Sequence, residues 1–478
     1  MMRPYDLIVI GGGAGGLTVA AGAASLGAQV ALIEKNELLG GDCLHYGCVP
    51  SKALIKSAKE VYTAQKAAEE FGLKINGQPD ITVAMERVKA AISGLQHHDS
   101  HERFESLGVD IFSERTGRFV NPEQLKLDNG KILKGKRFVI ATGSRPFIPP
   151  IEGIEEVDYL TNETIFNLKE LPKRLVVIGG GAIGLEMAQS LARFGSDVTV
   201  VETSETLFGR EDEEMIPIIT NELQKELHFT FNSMAKSVRM TENGTKLLTI
   251  EKEGNTFDLE ADDILIATGR KPNTDNLGLE EIGVKLDKGH VVVNDHLQTT
   301  VPNIFAVGDT NGKYPFTHAA GMEGKLVVRN ALIGFKGKIN YDNLPWVTYT
   351  DPEVYHLGMT EKEAMDKYGD SIKVFKVENK EVDRFATDRD EVGLVKVITT
   401  QKGEILGAHA VGRNAGDWMQ EIVFAKTQGH KIGDLSNVIH PYPTHGAILE
   451  NTANQYWREK LFEGVLPKVT EKYIQYFR

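Results

Sequence analysis

Thiols are almost absent from this chain: Cys43 and Cys48 are the only cysteines in 478 residues. With no second pair, a cysteine-rich zinc site is not expected, since such a site needs about four ligands. A basic excess is lacking too. The formal net charge is −13, which argues against nucleic-acid binding as the main task, because phosphate contacts need clustered lysine and arginine. The apolar run Leu7–Ile10 near the N-terminus is too short for a signal peptide or a membrane span. The expected location is therefore cytoplasmic. At a scale of about 150 residues per domain, the length suggests about three domains, and the composition is that of an ordinary globular protein.

The two thiols lie in one stretch, Gly-Gly-Asp-Cys-Leu-His-Tyr-Gly-Cys-Val-Pro-Ser-Lys, from Gly40 to Lys52. A purely structural disulfide across so short a loop would remove only about 2 kcal/mol of unfolded-chain entropy. Pro50 suits the first position of a following helix. Cys48 would then sit near a helix N-terminus, where backbone N–H groups and the dipole favour thiolate over thiol. The pair reads as a redox couple, and no metal ligand set is expected. His97, His98 and His101, interleaved with Asp99, Glu102 and Arg103, read as a solvated helix face.

A repeat surrounds this stretch. The strand Tyr5–Ile10 runs into Gly11, Gly13 and Gly16 of a GxGxxG pattern, followed by an Ala-rich helix (Leu17–Leu26) and the strand Gln29–Ile33, which ends at Glu34. Leu175–Ile178 likewise enters Gly179, Gly181 and Gly184, then a helix (Leu185–Phe194) and the strand Asp197–Val201, which ends at Glu202. The first glycine would make the tight turn, the second would let backbone approach a pyrophosphate, and the third would allow helix and strand to pack closely. The helix N-terminus receives the phosphate charge, and Glu34 and Glu202 would accept from ribose hydroxyls. Two dinucleotide sites beside a thiol pair imply an electron relay, one nucleotide a held flavin and the other a nicotinamide. A carboxylate at Glu202 repels a 2′-phosphate and favours NADH over NADPH.

Together with Ala141-Thr142-Gly143, Ala267-Thr268-Gly269 and the run Asn303–Asp309, these motifs resemble those of the flavoprotein disulfide reductases, the group of lipoamide dehydrogenase, glutathione reductase and mercuric reductase. The resemblance implies an α/β fold with two Rossmann-like dinucleotide-binding domains and a C-terminal α+β dimerisation domain. An FAD domain would be split between 1–150 and 271–340, with the NAD(P) domain, 151–270, inserted and an interface domain at 341–478 building a homodimer. Strands at Ser371–Glu378, Gly393–Thr399 and Gly403–Gly412 and a helix at Met419–Thr427 fit that last unit. The resemblance further implies that Cys48 contacts the flavin, that Cys43 exchanges with substrate, and that Lys52, paired with Glu186, stabilises reduced flavin. Cofactor contacts are implied at Lys35, Gly41, Asp42, Gly117, Thr142, Gly143, Ser144, Gly308, Asp309 and His318 for FAD, and at Gly269 beside the second fingerprint.

The departures concern the substrate. The family has a histidine followed by Pro-Thr and a glutamate five positions after the histidine. Aligned on Pro443-Thr444, Tyr442 falls at the histidine and Ala447 at the glutamate, so the usual dyad is missing. Tyr442 resembles the mercuric reductase branch; a phenol with a pKa near 10 donates a hydrogen bond but is a poor base. His440 and His445 flank it, and His445 joins Tyr442 as a catalytic candidate. Mercuric reductases carry a C-terminal cysteine pair, which Lys472–Arg478 lacks, so efficient mercury handling is not expected. Asp42 replaces the family's threonine and is expected to raise the pKa of Cys43. His45 and Tyr46 are expected to alter substrate choice or potential. The expected function is passage of electrons from NADH through FAD and Cys43–Cys48 to a disulfide. A metal ion or quinone acceptor is the alternative, and a docking subunit of a larger complex the more distant one.

Overall fold

The computed structural model describes residues 3–463 and 466–478. Residues 1, 2, 464 and 465, which belong to the expected first and last domains, lie outside the described residues. The chain forms two compact units, Met1–Thr203 with Ser233–Asn340, and Ser204–Asn232 with Tyr341–Arg478. Among the described residues no helix is long and apolar enough to cross a membrane.

The first unit contains a five-stranded parallel sheet in the order Ile304–Ala306, Phe138–Ile140, Leu7–Ile10, Val30–Ile33, Val109–Phe112. Successive residues of a strand face opposite sides. Leu7 and Val9 accordingly join one buried cluster, and Ile8 and Ile10 another. Burial on both faces is why this strand reads as an unbroken apolar run rather than an alternation. The register pairs Ile10 with both Ile33 and Ile140, and Ile140 with Ala306. The chain therefore leaves the sheet at one edge through Gly11, Glu34, Ala141 and Val307, the carboxyl edge where doubly wound sheets bind ligands.

The second repeat has the same plan. Arg174–Ile178 lies between Asp197–Val201 and Asp263–Ile266, all parallel, with Ile178 paired to Val201 and Ile266. Gly179, Glu202 and Ala267 leave that edge together. The helices Cys48–Phe71 and Ala182–Phe194 pack on one another, which brings together residues far apart in sequence. A short antiparallel pair, Ser144–Pro146 with Arg270–Pro272, joins the segments that follow the two Ala-Thr-Gly triplets.

The second unit is built on an antiparallel sheet, ordered Pro345–Thr348, Glu353–Gly358, Ile405–Gly412, Leu394–Thr400, Ile372–Glu378. Its core gathers Tyr355, Phe375, Val395, Val397 and Phe385 with Ile448 and Leu449 of the helix Ala447–Phe462. The segment 204–232, which the sequence reading assigns to 151–270, belongs to this unit. Met215, Ile219 and Leu223 of its helix are buried, and Asp212 and Glu214 bind the buried Lys396 at 2.7 and 2.8 Å.

Candidate functional site

The two glycine motifs have nearly superimposable local geometry. Gly11 and Gly179 hold φ of +108° and +109°, a region that side chains other than glycine rarely enter. A Cβ on Gly11 would lie 2.2 Å from the Ala141 oxygen, and one on Gly179 would lie 2.5 Å from the Ala267 oxygen. The Ala-Thr-Gly triplets thus press their alanine carbonyls against the first glycine of each motif. The third glycines, Gly16 and Gly184, sit where a Cβ would come within 1.9 and 2.1 Å of the Gly11 and Gly179 oxygens. The second glycines leave room instead: a Cβ on Gly13 meets nothing nearer than 3.7 Å, and one on Gly181 meets nothing within 4 Å.

Glu34 and Glu202 also repeat. Glu34 accepts from the Gly12 N–H at 2.7 Å and the Asn36 N–H at 2.9 Å, and Glu202 accepts from the Gly180 N–H at 2.7 Å. Each acid is thus first a brace for its own loop, with lone pairs to spare for a hydroxyl. The helices that follow, Ala14–Ser25 and Ala182–Phe194, have no acidic residue in the first turn. Their positive ends are left for an anion. These features fit a dinucleotide at each motif.

The thiol stretch lies against the first motif. Gly40 N–H donates to the Gly12 carbonyl at 2.9 Å, and a Cβ on Gly41 would come 2.6 Å from Gly13 Cα. Cys43 sits in the short helix Gly41–His45, and Cys48 is the first residue of the helix Cys48–Phe71. Pro50 is therefore the third helical residue and not the first as the sequence suggests; its missing N–H is still among the groups a helix start leaves unbonded. Both cysteines are free thiols, Cys43 half-buried and Cys48 exposed.

Their chemistry is polarised. The Cys43 S–H donates to Cys48, Thr317 adds a hydroxyl, and Lys52 adds a positive charge. Together these outweigh burial and pull the Cys48 thiol down to about 6. Thr317 Oγ1 lies 3.3 Å from Cys48 Sγ. Cys43 is pushed far up by the same hydrogen bond, by burial and by the charge on Cys48, with Asp42 as a smaller contributor. Lys52 Nζ donates to Glu186 Oε2 at 2.9 Å, with the carboxylate buried, so the two helices are joined by an ion pair beside the thiols.

Asp42 does more than perturb Cys43. Its carboxylate accepts from Arg270 Nη2 at 2.9 Å and Asn162 Nδ2 at 3.3 Å. Arg270 also donates to Ser144 Oγ at 2.6 Å, and Ser144 donates to Asp309. Asn162 reaches the Tyr46 carbonyl at 3.1 Å, and His45 Nε2 lies 3.1 Å from the Leu39 carbonyl. The loop between the cysteines is pinned from several segments. Arg270, Asn162 and Thr317 are not among the residues the sequence singles out, although Arg270 leaves a signal: both Ala-Thr-Gly triplets are followed by Arg and Pro.

The other sequence candidates fall as follows. Thr142 Oγ1 donates to the Asn273 carbonyl at 2.6 Å, and the Gly143 carbonyl accepts from Asn273 N–H at 2.9 Å. Gly308 N–H donates at 2.6 Å to Glu323, a fully buried carboxylate. His318 follows Thr317 in the first turn of Thr317–Val328 and stacks on Phe316. Lys35 is exposed just beyond Glu34. Gly269 adopts φ +141° with open space around it. Gly117 starts the strand Gly117–Asn121, where a Cβ would strike Leu125 at 2.7 Å.

In the second unit, three side chains of the 440–445 stretch each find carboxylates. Tyr442, 80% exposed, donates its hydroxyl to Asp383 Oδ2 at 2.6 Å, and that bond raises its pKa. His445 Nε2 lies 3.2 Å from Asp388 Oδ2, its ring edge-on to Phe385. His440 is held by Glu421 at 2.7 Å through Nε2 and by Glu450 at 3.3 Å through Nδ1. Burial draws its pKa down, but the two carboxylates raise it more. Histidine–carboxylate pairs are therefore present where alignment on Pro443-Thr444 finds the dyad missing; they run through His440 and His445 rather than through positions 442 and 447.

Comparisons with known proteins agree with this geometry. Residues 5–324 match the pyridine nucleotide-disulphide oxidoreductase family, and residues 344–453 match the dimerisation domain of that family. Mercuric reductase of Staphylococcus aureus is 35% identical over 92% of this chain and 80% of its own length. A mitochondrial dihydrolipoyl dehydrogenase of Dictyostelium discoideum is 34% identical over 94% and 93% of the two chains. Among solved structures, the Cu(II) complex of the HOCl-induced flavoprotein disulfide reductase RclA from Escherichia coli has a TM-score of 0.84 and 28% identity, covering 95% of this chain and all of that one.

Proposed function

The chain belongs to the pyridine nucleotide-disulphide oxidoreductase family, and from that premise we propose that it is an FAD-dependent homodimer that moves electrons from NADH to Cys43 and Cys48 and on to a small-molecule disulfide. The observation that carries this reading is the polarised pair, Cys48 drawn toward thiolate and Cys43 held as thiol. Gly11, Gly13, Gly16 and the helix start at Ala14 would hold the FAD phosphates, with Thr142, Gly143, Gly308, Asp309 and Lys52 serving its other polar groups. FAD would supply the two-electron carrier between the nicotinamide hydride and the Cys43–Cys48 disulfide.

The chain's own thiols do the rest. Cys43 attacks the outside disulfide; a Cys43–substrate bond forms, the substrate S–S bond breaks, and one substrate sulfur leaves as a thiolate. The Cys48 thiolate then attacks the Cys43 sulfur, closing the Cys43–Cys48 bond and releasing the second substrate sulfur. Cys43 must lose a proton and each leaving thiolate must gain one. His445 suits that exchange, because Asp388 holds one ring nitrogen only, whereas both nitrogens of His440 face carboxylates. His445→Gln is expected to lower kcat about 100-fold or more, the usual weight of general acid–base catalysis. Tyr442→Phe is expected to keep most of the activity. Unchanged kcat in His445→Gln would contradict the role.

NADH is the proposed donor. With the Glu202 carboxylate already at the second loop, a 2′-phosphate meets repulsion, and about 1.4 kcal/mol of it gives a tenfold preference. The expected kcat/KM for NADH is accordingly at least about ten times that for NADPH; equal efficiency would overturn the assignment.

A metal ion as acceptor is the second reading, favoured by Tyr442 at the family's histidine position. NADH oxidation by the FAD-loaded protein with lipoamide, glutathione disulfide, coenzyme A disulfide, Hg(II) and a quinone separates the two. Fastest turnover with a disulfide supports the first reading, and fastest turnover with Hg(II) or the quinone replaces it.

A further inference from the structure

Among the described residues one grouping of three metal-ligating side chains occurs, and it lies in the second unit. Glu211, His356 and His409 are all buried, and one ligand atom from each lies within 4.8 Å of the others. His356 and His409 are cross-strand partners on Glu353–Gly358 and Ile405–Gly412, with ring centroids 4.5 Å apart.

The hydrogen bonds fix what faces the centre. His356 Nε2 lies 2.9 Å from the Gly358 carbonyl, and His409 Nε2 lies 2.9 Å from the Met359 carbonyl. A carbonyl only accepts, so each ring carries its N–H on Nε2. In a neutral ring Nδ1 is then a bare lone pair. His356 Nδ1 lies 3.1 Å from Glu211 Oε2, itself an acceptor, while Glu211 Oε1 accepts from Trp346 Nε1 at 2.7 Å. His409 Nδ1 is buried with no hydrogen-bond partner. His356 Nδ1 and Glu211 Oε2 therefore meet as two acceptors, and a ligand atom of each of the three residues lies within 4.8 Å of the others in this buried space. A single proton between His356 and Glu211 satisfies that pair and leaves His409 Nδ1 bare; a metal ion satisfies all three.

We propose that Glu211, His356 and His409 form a buried structural site for a divalent first-row metal ion, with Zn2+ the ion it takes. Two imidazoles and a carboxylate form a donor set that zinc accepts. Anchoring of the distal Nε2–H of each histidine on a carbonyl is the usual support of a metal-bound imidazole. Tetrahedral bonds of about 2.0–2.1 Å put neighbouring donors about 3.3–3.4 Å apart, so the cluster needs only a modest contraction. Charge agrees as well. Asp212, Glu214 and Glu361 pair with Lys396, and Glu214 also pairs with Lys376; Glu211 adds a fourth carboxylate, so four negative charges stand against two lysines, an excess of two that a divalent ion neutralises. Because His356 and His409 are 2% and 0% exposed, the ion enters as the chain folds and serves stability rather than turnover.

The test uses the full-length protein carrying Cys43→Ser and Cys48→Ser, so that the redox thiols bind no metal. It is expressed with added Zn2+, passed over a chelating resin and measured for zinc by mass spectrometry. One zinc per chain is expected, and His409→Asn in the same background should reduce occupancy at least about tenfold, since even a lost supporting bond costs about 10–100-fold in affinity. If His409→Asn does not fold, Glu211→Gln, which keeps the side-chain shape, carries the same expectation. A zinc-free parent, or a ligand variant that keeps its zinc, overturns the site. Neither result depends on the redox reading.

Discussion

Replacing Cys48 with serine is expected to abolish NADH-driven disulfide reduction while leaving FAD and NADH bound. With Cys43 as the only remaining thiol, no intramolecular bond can close. The loss should exceed about a thousandfold, as for residues that act as one unit. The physical reason is the division of labour between the two sulfurs. Cys48 begins a helix, receives the Cys43 and Thr317 hydrogen bonds and feels Lys52, so it is the stabilised thiolate. In the wild-type dithiol form, alkylation of Cys48 should fall as pH drops through about 6, because a depressed pKa keeps the thiolate above that value and loses it below. Full turnover in Cys48→Ser would refute the assignment of roles.

Substituting Gly184 with alanine is expected to separate the two nucleotide sites. The new Cβ would lie 2.1 Å from the Gly179 oxygen, so the helix Ala182–Phe194 must move away from its strand. A displacement of about 1 Å at a positioning element costs about 100-fold, and kcat/KM for NADH should fall by that factor. FAD content should not change, because Gly11, Gly13 and Gly16 form their own loop. The mirrored Gly16→Ala, with a Cβ 1.9 Å from the Gly11 oxygen, should lose FAD instead. Loss of FAD in Gly184→Ala with NADH use intact would show that the two repeats had been assigned the wrong way round.

The parts of this molecule that can be read in the sequence are those whose causes are local. A strand, three glycines, a helix and an acid form a short-range pattern, and the two copies fold to matching φ values and matching loop braces. The antiparallel sheet of the second unit was visible for the same reason: Ile372–Glu378, Leu394–Thr400 and Ile405–Gly412 lie within a residue or two of the runs that suggest them. What could not be read depends on distant segments. Arg270 reaches Asp42 and Thr317 reaches Cys48 across more than 200 residues, and neither pairing leaves a local pattern. The buried Glu323 supports the Gly308–Asp309 turn from a neighbouring helix, and nothing in its own surroundings marks it. The histidine–carboxylate pairs escaped because the alignment followed Pro443-Thr444, whereas Asp388, Glu421 and Glu450 come from other elements. Glu211, His356 and His409 likewise come from three separate segments.

The central claim is that NADH reduces the Cys43–Cys48 bond through FAD. Because the chain has only these two cysteines, labelling reads it without ambiguity. The air-oxidised, FAD-loaded protein is treated anaerobically with NADH, alkylated and weighed intact. The account predicts no label before NADH and two labels per chain after it, on Cys43 and Cys48. Consumption of NADH with both cysteines still unlabelled would contradict it.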